Sequence, residues 1–473
     1  METSLLIVSL VFGFYMTWNI GANDVANAMG TSVGSKALTL KKAVILAAIL
    51  EFAGACLVGS QVSETIQSGI IDISAFALNP MVLAVGMIAA LLGTGIWLQI
   101  ASYNGWPVST THSIIGALLG FGVIIAGPAA IYWTKIYYIA LSWILSPLLG
   151  ATVSYLVFTL IQRKILFSAN PLRSARSLMP VFIFFSFLIL GLGLLIDGLS
   201  KLHLNFTFLP ALGLSVILGL LAALISSLFF KKQLYVVSEE NMQKQQVDFQ
   251  LLRGLHKSIK HLRRTETIAN GQLQDDVGQM LKKLSKEAHD AKKQMNLQVK
   301  SLENNQVEKV FGFLQILSAC FVAFAHGAND VANAIGPLAA IIGIIKHKSV
   351  AMAAHTPLWL LALGGAGIVV GLMTWGWRVI ETIGKKITDL TPTRGFAAEI
   401  SAAAIILLAS KLGLPISTTH TLIGAVLGVG LARGIGALNL SILKDIAAAW
   451  VITIPAGAIF TIITYFILKP IFI

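Results

Sequence analysis

The chain has 473 residues, 56% of them hydrophobic and only 12% charged, with a formal net charge of +13. Soluble domains carry about 25% charged residues and single soluble cores rarely pass about 250–300 residues, which excludes an ordinary soluble enzyme, a disordered chain and a secreted disulfide scaffold. Residues 231–308 hold 24 of the 55 charged side chains, so the reading is an all-α polytopic membrane protein with one polar insert.

Spans of about 20 apolar residues are needed to cross a bilayer. In chain order they fall at roughly 4–23, 42–61, 80–98, 108–127, 134–160, 180–199 and 207–230, then 310–328, 349–372, 396–412, 416–434 and 445–470, about twelve membrane segments. No basic residue precedes the first run and its end recurs deep in the chain, so it is read as a membrane segment, not a cleaved signal. Cys56 and Cys320 lie inside apolar runs and read as packing residues. The chain divides into a first transmembrane repeat (1–165), connecting helices (166–230), the insert (231–308) and a second repeat (309–473).

Basic residues follow the first run (Lys36, Lys41, Lys42), the fifth (Arg163, Lys164, Arg173, Arg176) and the ninth (Arg378, Lys385, Lys386, Arg394), and the insert follows the seventh. Under the positive-inside rule this places both termini outside and the insert in the cytoplasm of a cell (inner) membrane protein, with Lys346 and Lys348 dissenting. The same rule accounts for the positive charge without nucleic acid. The parity survives if the segments around Pro107 and Pro415 are re-entrant. Within the insert, Leu251, Leu255, Ile259 and Leu262, then Val277, Met280, Leu284, Ala288 and Ala291, keep helical spacing. One or two helices are expected there, pairing with each other or with a second subunit in a homodimer.

Two strings occur twice. Gly21-Ala-Asn-Asp-Val-Ala-Asn-Ala-Met-Gly30 returns at Gly327–Gly336 with one change, and Pro107-Val-Ser-Thr-Thr-His-Ser-Ile-Ile-Gly-Ala-Leu-Leu-Gly120 returns at Pro415–Gly428 with four. On the orientation above, run one starts outside and run eight inside, so the copies are inverted repeats. Inverted repeats with interrupted or re-entrant helices mark secondary transporters with a site at the repeat interface.

In the first string, Asn23 and Asn27 share a helix face with Asp24 beside them. A carboxylate at membrane depth costs at least ~2.5–3.5 kcal/mol and needs a partner, yet runs one to four contain no Lys or Arg except at their ends. The carboxylate, the amide oxygens and freed backbone carbonyls make an all-oxygen shell for a hard cation such as sodium. Asn329, Asp330 and Asn333 repeat it. In the second string, proline and hydroxyl residues start a fresh helix inside the apolar zone. Its N-terminus, with Ser109, Thr110 and Thr111, or Ser417, Thr418 and Thr419, is an anion site by geometry and dipole. Asp24 and Asp330 would repel a bound dianion unless cations lay between them, so cation and oxyanion load together. Glu51 and Glu399 are further intramembrane acids, read either as cation or proton carriers or as structurally paired groups. His112 and His420 read either as pH reporters or as groups bonded to backbone. His326 stands where the first copy has Ile20, which argues against a shared site role. Gln99 and Gln315 are weak extras.

These strings, with Glu51 in Glu-Phe-Ala-Gly-Ala and Glu399 before Pro415, resemble the PiT family of inorganic phosphate transporters. The resemblance covers roughly 1–165 and 310–470. It implies uptake of inorganic phosphate coupled to sodium or protons, with Asp24, Asp330 and the Ser-Thr-Thr hydroxyls holding phosphate and cation. It also implies that Glu51 and Glu399 are transport-sensitive, and it implies no organic cofactor. The family includes sulfate carriers and proton-coupled carriers of metal–phosphate complexes. Phosphate is favoured over sulfate because its proton needs an acceptor such as Asp24 or Asp330, and the many neutral oxygen ligands tilt toward sodium. An intramembrane hydrolase using Ser109, His112 and Asp24 is the remote alternative, since triads are defined by geometry and not by adjacency in sequence.

Overall fold

Each of the twelve apolar runs contains a helix, although not all of these helices are long enough to span. The computed structural model describes residues 2–195, 206–350, 356–377, 379–380, 389–434, 436 and 438–473, and their side chains outside 229–253, 292–302, 440 and 442. The expectations for Arg378, Lys385, Lys386 and the Leu251 side chain fall outside the described residues.

The helices are α1 (Glu2–Gly34), α2 (Leu40–Val58), α3 (Ser60–Ser68), α4 (Pro80–Tyr103), α5 (Thr110–Ile125), α6 (Trp133–Ile161) and α7 (Pro171–Gly193). They continue as α8 (Phe208–Ile268), α9 (Gln272–Asp330), α10 (Ala332–His347), α11 (Leu358–Thr374), α12 (Pro392–Lys411), α13 (Thr418–Arg433) and α14 (Leu440–Phe472). Among the described residues the β-pairing is one isolated bridge, Ile71 to Ile131. Proline at the first turn starts both α4 and α12, where its missing N–H costs no hydrogen bond.

Eight described helical stretches are long and apolar enough to cross a membrane, nine if α2 and α3, bent by 64°, count as one broken span. The helices α5 and α13 have 16 residues each, about 24 Å at 1.5 Å per residue, too short for a hydrocarbon core of about 30 Å. Each follows an extended segment, 106–109 or 414–417. Each short helix therefore starts directly from a loop, at the prolines and hydroxyl residues.

Two compact units divide the chain. The first comprises Met1–Leu160, Phe185–Gly219 and Phe311–Ile473. Within it α14 lies along α4 and α5, and α11 lies along α1 and α2. The span in α4 is 78% buried although strongly apolar, whereas Phe208–Leu228 is only 17% buried, with Leu209, Leu224, Ile225 and Leu228 exposed. An apolar helix that hides its side chains is core, and one that displays them on every turn suits lipid.

The second unit comprises Ile161–Phe184 and Leu220–Val310. Its centre is a hairpin of α8 and α9, turned at Gly271, whose φ of +65° lies in the left-handed region glycine tolerates. The insert thus forms two helices that pair with each other. The buried stripe on α9 is Val277, Leu281 and Ala288, which corrects one position. Met280 is 61% exposed, because the heptad-like spacing from Val277 reaches Leu281 one residue later.

Candidate functional site

The duplicated strings meet inside the first unit. Asn23 on α1 donates to the Ser102 hydroxyl (3.0 Å) and the Trp106 carbonyl (3.1 Å), and its Oδ1 accepts from Val108 N–H at 3.3 Å. Asn329 on α9 donates to Ser410 (2.9 Å) and the Leu414 carbonyl (3.4 Å). Each asparagine therefore holds the extended lead-in to a short helix. Ser109 and Ser417 cap those helices, accepting from the N–H of His112 and His420 at 3.1 Å each.

Most of the remaining contacts cross between copies; Asn27–Asp24 and Thr418–Asp330 stay within one. Asn27 donates to Asp24 Oδ1 (2.9 Å) and to the Thr419 hydroxyl (2.8 Å), and Thr419 approaches Asp24 Oδ1 (3.1 Å) and the Val108 carbonyl (3.1 Å). Asn333 donates to Thr110 and Thr111, both at 3.1 Å, while Thr111 donates to the Ile416 carbonyl (2.9 Å). Thr418 donates to Asp330 Oδ2 at 2.8 Å. All fourteen sequence-predicted site residues are buried, and twelve of them, all but Glu51 and Glu399, take part in the hydrogen bonds given above. Asp24, His326 and Asp330 each offer a ligand atom within 4.8 Å of the others.

The donor set fits a cation. Asp24 Oδ2, Asp330 Oδ1 and the Oδ1 atoms of Asn27, Asn329 and Asn333 are buried acceptors with no hydrogen-bond donor among the described residues. A buried carboxylate oxygen without a donor is costly. Two carboxylates at such separation repel by about 3–4 kcal/mol at an effective dielectric of about 20. A hard positive ion removes both penalties, and these oxygens are the ligands it prefers.

One element departs from the sequence reading. Freed backbone carbonyls were expected in the first string, but α1 runs unbroken through Gly21–Gly30, so its carbonyls stay in the helix ladder. The second copy breaks only at Val331, between α9 and α10. The glycines serve close packing instead. A side chain at Gly21 would strike the Ile368 carbonyl, and one at Gly327 the Glu51 carbonyl.

That pair of crossings exposes a residue the sequence reading passed over. His326 places Nδ1 3.3 Å from Glu51 and Nε2 3.0 Å from Asp330, four residues on along the same helix. Comparison with Ile20 hid it; its position one turn before Asp330 was the available signal. Glu399 sits in a different nest. It accepts from Ser32 (2.7 Å), Ser318 (2.5 Å), Gln315 (3.3 Å) and, at very close range, Thr31. His112 and His420 meet edge to face at 4.3 Å, His112 lies tilted against Trp143 (3.9 Å) and His420 stacks on Trp450 (3.6 Å). Neither nitrogen of His112 has a hydrogen-bond partner among the described residues, and its ring packs against Trp143 and His420. Gln99 accepts from the Tyr15 hydroxyl.

Residues 20–461 match the model of the phosphate transporter family. The chain belongs to that family, whose members are transporters and not enzymes. It is 44% identical over 98% of its length to inorganic phosphate transporter 2-1, chloroplastic, of Arabidopsis thaliana, covering 72% of that protein. It is also similar to a solved structure titled the sodium-dependent phosphate transporter, with a TM-score of 0.79, 35% identity, and 99% of this chain and 100% of that one covered. A family of multi-pass carriers accounts for apolar helices wrapped around a buried, duplicated polar site.

Proposed function

We propose that this transporter imports inorganic phosphate by symport with sodium, through alternating access of two inverted repeats. The observation that carries the reading is the set of donorless buried oxygens on Asp24, Asp330, Asn27, Asn329 and Asn333, beside the threonine hydroxyls of two helix starts. The helix starts supply N–H groups and positive dipole ends for an oxyanion, and Thr110, Thr111, Thr418 and Thr419 supply hydroxyl donors. Asn27, Asn333, Asn329 and the two aspartates supply the cation shell. Asn23 joins it by exchanging its long bond to Val108 for an ion. Ser109 and Ser417 act mainly as caps that aim the helix starts. Without cations the aspartates repel each other and the phosphate, so partly loaded states are disfavoured and the two solutes travel together. One of the two carboxylates also accepts the proton that distinguishes phosphate from sulfate.

Glu399 adds a second oxygen cluster. Its carboxylate, three hydroxyls and the Gln315 amide supply the oxygens of a shell for a further coupling ion, with Thr31 and Ser32 on the helix that carries Asp24. Lysine and arginine placement supports termini outside and a cytoplasmic insert.

A second reading, co-transport of a metal–phosphate complex with protons, is favoured by one observation: the Asp24–His326–Asp330 cluster has the ligand types and closeness of a divalent-metal site. The deciding experiment is uptake of labelled phosphate and labelled sulfate into proteoliposomes, with sodium and pH gradients imposed separately. Phosphate accumulation that follows the sodium gradient is expected. Accumulation driven only by protons and abolished by a chelator would replace sodium symport with the second reading.

A further inference from the structure

The hairpin of the second unit holds a cavity that transport leaves unused. It has a volume of about 400 Å³ and lies between His256, Lys260 and Arg263 on α8 and His289 on α9. Ile259 and Ala288 line it as well, and Ser285 adds a hydroxyl. The sequence explains its shape. Residues 256, 260 and 263 fall on one face of α8, and 285 and 289 on one face of α9, at helical i, i+3, i+4 and i+7 spacing. Opposite that basic face, α9 presents the small Ser285 and Ala288, so the helices leave a cleft where larger residues would close it.

The lining contains four groups able to carry positive charge and no carboxylate. A neighbouring cavity toward the turn differs: there Arg263 and Lys282 are matched by Glu266 and Asp275. Among the described residues, neither Lys260 nor Arg263 lies within 4.0 Å of a carboxylate. A cluster of like charges in a cleft raises the local concentration of counter-anions. An arginine fork beside a lysine suits phosphate oxygens, the first by bidentate bonds and the second as a point charge. The volume falls in the range of small-molecule sites and exceeds one orthophosphate several-fold. No Phe, Tyr or Trp side chain lines the cleft.

We propose that this cleft binds the clustered phosphates of a polyphosphorylated small molecule, recognised through its phosphate groups alone. The same chemistry is offered by a soluble polyphosphate ester and by the phosphomonoester headgroup of an anionic lipid. The proposal does not rest on the transport reading.

The test is calorimetric titration of inorganic tripolyphosphate into the full-length protein in phosphatidylcholine nanodiscs. Wild type is compared with Lys260→Gln, Arg263→Gln and, as a charge-matched control outside the cleft, Lys282→Gln. Loss of charge-assisted hydrogen bonds predicts affinity falling about tenfold or more for the first two and little for the third. All three residues are exposed, and phosphate uptake without tripolyphosphate should match wild type in each, which reports intact folding. Equal affinity in wild type and both cleft variants overturns the proposal. So does an equal loss in Lys282→Gln, which would mean diffuse charge and not a site. Repeating the titration with phosphatidic acid in the nanodisc separates the sources: unchanged affinity identifies a soluble ligand, and weakened apparent affinity identifies the lipid headgroup as occupant.

Discussion

Two helix crossings in the first unit have the same geometry and opposite chemistry. Where α1 meets α11, Gly21 packs on the Ile368 carbonyl and Gly371 on the Trp18 carbonyl; where α9 meets α2, Gly327 packs on the Glu51 carbonyl and Gly54 on the Phe324 carbonyl. Ile20 and Ile368 thus stand at the places of His326 and Glu51. One crossing is sealed by hydrocarbon and the other by a buried histidine between two carboxylates. Glu399 shows the same divergence. The matched contacts Asn23–Ser102 and Asn329–Ser410 put the buried, apolar Leu91 at its place in the other copy. What both copies keep builds the two helix starts proposed to seat the oxyanion, and what only one keeps is further charge. The duplicated site is symmetric in shape and asymmetric in electrostatics.

The largest expected effect tests the shared part. Asp24→Asn and Asp330→Asn should each lower phosphate uptake by at least about 100-fold. A charge contact near 4 Å is worth on the order of 4 kcal/mol at an effective dielectric of about 20, and each ~1.36 kcal/mol is a factor of ten in rate. The comparison adds a distinction. Asp330 has His326 Nε2 at 3.0 Å, whereas the hydrogen bonds to Asp24 come from the neutral Asn27 and Thr419, with His326 next to it at a longer distance, within 4.8 Å. Residual uptake in Asp24→Asn should therefore lose more of its sodium dependence than residual uptake in Asp330→Asn. Wild-type sodium dependence in Asp24→Asn would remove Asp24 from the cation shell.

The diverged crossing can be broken directly by making it copy its twin. His326→Ile alone leaves Glu51 buried without its charge partner, a change that typically costs about 3–5 kcal/mol. Adding Glu51→Ile should recover most of that stability, read as the midpoint of thermal unfolding in detergent, while uptake stays impaired. A double variant no more stable than His326→Ile would mean that the two crossings are not equivalent after all.

The extent to which this was legible in the sequence follows the same division. Repetition made the shared seat visible: two strings at nearly equal spacing named the asparagines, aspartates and hydroxyls that the fold brings together, and prolines 107 and 415 located the short helices. The diverged part was harder. Glu51 and Glu399 stood out because carboxylates in apolar runs are costly, but their partners come from other helices, 275 residues away for His326 and 368 for Thr31. Linear spacing carries no record of such a crossing. The expected freeing of backbone carbonyls in the first string failed for a related reason, since glycine in a helix signals either a break or a neighbour's backbone and only packing decides between them.

Glu399→Gln has an intermediate expected effect. It keeps the size of the side chain and its hydrogen-bonding oxygen but removes the charge from a nest of three hydroxyls and an amide. The apparent affinity for sodium should fall about tenfold, the scale of one charge-assisted contact, while the KM for phosphate at saturating sodium changes little. Uptake at graded sodium, with phosphate held constant, reads the difference. A rise in phosphate KM with sodium affinity intact would instead tie Glu399 to the anion.

The smallest effect should also be the most even between halves. Ser109 and Ser417 make the same capping bond, 3.1 Å to the N–H three residues on, from nearly the same backbone shape, φ −89° and −88°. Replacing a serine cap by alanine costs typically ~1 kcal/mol. Ser109→Ala and Ser417→Ala should therefore each weaken phosphate affinity by roughly fivefold, through a frayed helix start, with little change in sodium dependence. Serine-to-glycine replacement, which costs a helix only a few tenths of a kcal/mol, should restore most of that affinity if the hydroxyl acts as a cap. If glycine is as harmful as alanine in one half only, that serine touches the phosphate itself, and the electrostatic asymmetry of the two copies extends to their anion contacts.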